Sequence, residues 1–284
     1  MTGVRLRFVV GATALMLAAA ALSAHDFWIV PTSFRLTPGT VLEVYGQTST
    51  RFPTSVAAVV PERVVEARLI GAAGEERLTD LSVRGTSLVL RHRPSGVGQR
   101  IVAVALAARS ARTTPERLER YIALEGAPEL AARYRREGAY PSGDSVTQVS
   151  AKFAKTIVDI GDGGARVFDR PAGHALELVP LADPQQLRPG DTLAVRLLYR
   201  GTPVAGARLH AGAAPPGLTT TSDTAAARAA QWQDVEAETA TDGTARVVVT
   251  RGGLWNVRVL HAAPAPAAPD TWEVLFATLV FAVR

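Results

Sequence analysis

The feature that most restricts the fold of this chain is its punctuation: short runs of β-branched and aliphatic residues, each bounded by glycine or proline. Residues 27–30, 41–45 (after Pro38-Gly39), 64–70 (before Gly71), 87–91 (before Pro94) and 101–106 follow this plan. Strands of such length and spacing suit an antiparallel sandwich or barrel. A helical island interrupts them. Thr114 is placed as an N-cap, Pro115 as the first helical residue, and Leu118, Tyr121, Ile122, Leu130 and Tyr134 recur near helical spacing until Gly138 and Pro141. The Gly126-Ala127-Pro128 break divides the island into two short helices.

Strand patterns resume at 146–160, 175–181, 192–199 and 204–210, and again at 245–250, 254–261 and 272–283. Residues 211–230 and 262–269, rich in alanine and proline, read as loops. The predicted fold is mainly β: an antiparallel β-sandwich-like first domain over 25–165 with a helical insertion at about 114–138, then a smaller Greek-key, transthyretin- or immunoglobulin-like β domain over 170–284. The boundary falls in the glycine-rich stretch between 161 and 171.

The first 24 residues predict the compartment. Arg5 and Arg7 precede an uncharged apolar stretch from 8 to 22, and the small residues Ser23 and Ala24 follow, which is the layout of a secretory signal peptide. The stretch falls short of the roughly 20 residues a spanning helix needs, so the expected product is a periplasmic protein that does not cross the membrane once processed. Cleavage after Ser23 or after Ala24 both fit, and the second leaves His25 as the mature N-terminus.

Composition then excludes whole chemistries. The chain has no cysteine, so disulfides, thiolate nucleophiles and iron–sulfur clusters are ruled out, and a transition metal would have to use the five histidines, carboxylates or terminal groups. Losing Arg5 and Arg7 with the leader lowers the net charge from +5 to +3. The basic residues are scattered and almost all arginine, Lys152 and Lys155 being the only lysines, so no nucleic-acid partner is expected. No G-x-S-x-G, H-E-x-x-H, phosphate-loop or dinucleotide fingerprint appears, and no enzymatic activity is predicted.

Several blocks in order carry a resemblance. They are Ala24-His25-Asp26-Phe27-Trp28, the helical Leu118-Glu119-Arg120-Tyr121, and Ala151-Lys152-Phe153-Ala154-Lys155-Thr156. The stretches 174–181, 201–207 and 253–261 complete the set. Together they resemble the periplasmic domain-of-unknown-function family labelled NikM-like, or nickel/cobalt uptake transporter component, over nearly the whole mature chain. The resemblance implies a secreted β protein in transition-metal handling, with a metal ion as ligand and an inner-membrane metal transporter as partner.

The candidate ligands follow from coordination chemistry. A mature N-terminal His25 closes a chelate ring through its α-amine and imidazole, and the amine, with a pKa near 7.7, yields its proton readily to a divalent ion. One more imidazole would complete a three-nitrogen brace suited to Cu(II) and usable by Ni or Co. His261, at the end of a predicted strand, is the first choice for it and His174 the second. Glu177 and Asp26 are candidate carboxylate ligands or orienting groups. His92 stands between Arg91 and Arg93, where cations repel a metal, and His210 is expected to be exposed beside the 211–230 loop. The expected function is metal uptake or delivery. The alternatives are a structural or adhesion-type β-sandwich module without metal and, as a minor branch, a copper histidine-brace enzyme.

Overall fold

A computed structural model describes residues 26–215, 235–266 and 268–284. The predicted signal peptide, its cleavage sites and His25 lie outside the described residues, as does most of the predicted 211–230 loop. Among the described residues the chain forms seventeen strands, two short helices and two single turns of 3₁₀ helix.

The centre is a nine-stranded sheet. Its long members are β8 (Gly98–Thr113), β9 (Val146–Ile160), β16 (Gly253–Ala265) and β17 (Ala268–Val283). On one flank come β4 (Val64–Gly71) and β5 (Gly74–Arg77), on the other β13 (Arg208–Ala213) and β14 (Val235–Glu238), and β2 (Arg35–Leu36) pairs with the end of β9. A four-stranded sheet of β1 (Asp26–Pro31), β3 (Leu42–Ser49), β7 (Ser87–His92) and β6 (Asp80–Arg84) covers part of one face. A second, of β10 (Leu176–Pro180), β11 (Thr192–Tyr199), β12 (Thr202–Pro203) and β15 (Thr244–Val248), covers the other. The rest of the first face carries helices α1 (Pro115–Leu124) and α2 (Pro128–Arg136).

Being covered twice explains why residues 101–106 are buried without alternation. Val102, Val104 and Leu106 of β8 pack toward the β1 sheet, whereas Ile101 and Ala103 pack toward the β10 sheet. The same parity holds on β9, where Ala154, Val158 and Ile160 face the first layer and Ile157 the second. On β17, Trp272, Val274 and Phe276 lie under the helices, and Leu275, Ala277, Leu279 and Phe281 under β10 and β11. The mainly β sandwich architecture and the two short helices read from the sequence are those of the structure, and Thr114 accepts a hydrogen bond from the Arg117 amide as N-cap of α1.

The central seam is parallel, β17 running beside β9 from Thr271↔Thr147 to Val280↔Thr156. It joins the two halves in one sheet, and the core under β10 combines Ile70, Ile101 and Ile157 with Leu178, Val195 and Leu279. Two details depart from the sequence reading. Much of the stretch read as a loop is strand: β16 runs on to Ala265 and β17 starts at Ala268, the two forming one long hairpin in which Ala262 pairs with Val274 and Pro264 with Trp272. Ala262 is fully buried in the cluster beneath the helices, so tertiary cover overrides the composition. Likewise the expected strand at 204–210 is shifted to Arg208–Ala213, because Thr202–Pro203 turns back to pair with the end of β11.

Candidate functional site

The described candidate ligands fall on both faces of the central sheet. Glu177, on β10, accepts from the Lys155 ammonium at 2.5 Å, with both side chains 2% exposed. The Ala172 amide donates to the same oxygen at 2.6 Å and the Gly173 amide to the other at 2.9 Å. Burial pushes this carboxyl up, but the ammonium and the amide outweigh it and hold it below its usual range. The group is fully engaged as a structural anion between two layers. His174 Nε2 meets Glu66 Oε1 at 3.0 Å, and its ring lies 5.1 Å from that of Phe153.

His261 is on the same face, 8% exposed, with its ring 4.9 Å from that of Tyr199. Burial, reinforced by Arg133, lowers its pKa to about 4 against a smaller opposing pull from Glu273. It is therefore neutral near pH 7. Tyr199 donates to Glu273 Oε2 at 2.7 Å, and Arg200 holds the other oxygen at 2.6 Å.

Asp26 is on the opposite face. It opens β1, is 9% exposed, and one of its oxygens accepts from Arg258 Nη1 on β16 at 3.3 Å. The backbone fixes this placement, since Thr278 of β17 donates to the Phe27 carbonyl at 2.8 Å. The nine-stranded sheet thus lies between Asp26 and the pair His261 and His174. Of the remaining histidines, His92 bonds Glu76 at 2.9 Å, and His210 bonds the Gly126 carbonyl at 2.9 Å rather than lying open.

Around Asp26 the structure gathers groups the sequence reading did not single out. Glu125 follows the last residue of α1. Burial first, and then Asp26, raise its pKa to about 7, against the opposing pull of Lys152 and Arg258. Lys152, on β9, has its ammonium 5.3 Å from the centre of the Phe276 ring. Burial lowers it to about 8, with Asp26 and Glu125 pulling it up and Arg63 and Arg109 adding to the descent. Burial and the same two carboxylates push up the Tyr121 phenol. The helical insertion builds this site by bringing Tyr121 and Glu125 over strands that already carry Lys152 and Arg258. A hint was available: one of only two lysines stands among thirty-one basic residues in a block that also carries the resemblance.

Among the described residues no three His, Asp or Glu side chains gather in a group that could hold a metal ion. Asp26 and Glu125 supply two carboxylates. Among the same residues no helix is long and apolar enough to cross a membrane.

Fold and site together define a layered β-sandwich protein with a charged cluster where a helical insertion meets the first strand. The chain belongs to the domain of unknown function family DUF4198, whose profile matches residues 22–263. No curated protein matches it. Among solved structures, it aligns with the tetra-tandem repeat in the extending region of a large adhesion protein at 10% identity and a TM-score of 0.23, over 92% of this chain and 49% of that one. A trypsin-activated alpha-2-macroglobulin from Escherichia coli aligns at 9% identity and 0.24, over 91% and 16%. The Escherichia coli adhesin FdeC aligns at 12% and 0.22, over 93% and 98%. The chain spans about half of the first and about a sixth of the second.

Proposed function

We propose that this is a secreted, periplasmic metal-handling protein that holds a nickel, cobalt or copper ion at its mature amino terminus, His25. The nickel- or cobalt-uptake character of the family resembled in sequence, and delivery to an inner-membrane transporter, belong to this proposal. The observation that carries it is the burial of β1 from Asp26 onward, beside Glu125. His25 is covalently joined to Asp26, the first residue of that buried strand. A terminus at His25 would therefore be tethered at a carboxylate pair. Its amine and imidazole supply two ligand nitrogens, and Asp26 and Glu125 supply hard oxygen donors or orienting acceptors. His261 and His174, across the sheet, are structural in this reading.

The test is to identify the mature N-terminus by mass spectrometry and titrate the protein with Cu(II) and Ni(II). About one equivalent should bind. His25→Ala should remove stoichiometric binding, Glu125→Gln should weaken it by about tenfold, and His261→Ala should leave it unchanged. A terminus other than His25, or wild-type affinity in His25→Ala, overturns the proposal. It would favour a β module without metal, a reading supported by the internal engagement of His174, Glu177 and His261.

A further inference from the structure

The rim of the Asp26 cluster has a basic side, built by two irregularities in the sheet. β4 and β8 lose register between Val64 and Glu66, and β8 and β9 between Leu106 and Arg109. Leu106 pairs with Lys152 and Arg109 with Ser150, so β8 spends one more residue than β9 over this interval. Cross-strand partners share a face, so the extra residue turns Arg109 onto the face of Ser150 and Lys152, from which an unbulged strand would have turned it away. Lys152 pairs with Phe276, which packs beneath the helices, so this is the helix-covered face.

Arg63 completes the arrangement. It ends the 3₁₀ turn Pro61–Arg63, and its Nη2 donates at 2.9 Å to the carbonyl of Ala107, one of the bulged residues. Burial and the neighbouring Arg109 hold its guanidinium below its usual range. Arg63 and Arg109 thus repel one another on one ledge beside Lys152, which feels both arginines but feels the Asp26 and Glu125 carboxylates more strongly. Holding like charges together costs free energy that a bound anion would return. A guanidinium presents N–H donors in a planar fork that suits carboxylate and phosphate oxygens, and this ledge carries two of them.

We infer that Arg63, Arg109 and Lys152 form a subsite for the carboxylate or phosphate oxygens of a small ligand at the mouth of the Asp26–Glu125 cluster. The subsite needs no metal, so its test is separable from the proposal above. Mature protein stripped with a chelator is titrated calorimetrically with citrate and, separately, with inorganic phosphate, at low ionic strength and in about 0.5 M salt. Saturable binding of one equivalent of either probe is expected, and the preferred probe identifies the ligand as a carboxylate or a phosphate. Arg63→Gln/Arg109→Gln should weaken it by about tenfold or more, and the exposed Arg109→Gln alone by severalfold, which covers failure of the double variant to fold. Arg117→Gln/Arg120→Gln, which removes the same charge from α1, should change it by less than about twofold. Absence of saturable binding to either probe, or an equal loss in the α1 control, overturns the inference.

Discussion

Lys152 and Lys155 stand three residues apart on one strand and meet opposite treatment. Lys155 faces the β10 layer, where Glu177 and two backbone amides close a single saturated ion pair inside aliphatic packing. Lys152 faces the helices, where it shares its surroundings with two carboxylates, two arginines and an aromatic ring. Strand parity assigns the faces and the covering layer decides the chemistry. A dry, closed pair fixes two sheets to one another, whereas an overfilled cluster of both signs can adjust its charge near neutral pH.

The contrast can be broken experimentally. The largest effect is expected from Lys155→Met, which strands a buried carboxylate. Denaturant unfolding should show a loss of about 3–5 kcal/mol, largely restored in Lys155→Met/Glu177→Leu. A loss below about 1 kcal/mol would mean the pair is not closed. Next comes His261, another buried ionisable group of the same face. Its pKa is about 4 in the folded protein against about 6.5 unfolded, so the unfolded chain takes the proton first as pH falls. Stability from this group is complete above about 6.5 and is lost between 6.5 and 4, by about 3 kcal/mol, and His261→Phe should flatten that part of the pH profile. Parallel profiles for the two proteins would refute the assignment.

The smallest stability effect belongs to Lys152→Met, where lost attraction to Asp26 and Glu125 is offset by relief from Arg63 and Arg109. We expect a change within about 1 kcal/mol. Reactivity makes the sharper comparison: with a pKa of about 8, Lys152 should be acylated by an amine-selective reagent at pH 8 while Lys155 stays protected, as peptide mapping will show. Equal labelling would erase the distinction between the two lysines.

Local pattern made much of the fold legible. The helices and their N-cap, and strands 27–30, 192–199 and 254–261, follow from turn residues and apolar spacing. What pattern could not show is pairing across the chain. The β9–β17 seam has no local signature, and the β16–β17 hairpin hides behind alanine and proline because its burial is supplied by distant helices. The site follows the same rule. Asp26 was visible, but Glu125, Lys152 and Arg258 acquire meaning only when α1, β9 and β16 meet. His210, expected open, is held by Gly126, a contact between residues far apart in sequence.

The parallel seam also sets an order of events. Until residues 271–280 emerge from whatever delivers the chain, β9 can pair with β8 yet must leave much of its other edge bare, a long row of unmatched amides and carbonyls beside apolar side chains. Such an edge is a template for association with other chains, and its closure depends on contacts of high sequence separation, which form late and slowly. A chain stopped short of β17 therefore loses more than its last strand: it keeps an open wound at the centre of the sheet, and aggregation rather than a folded first half is the fate that topology assigns to it.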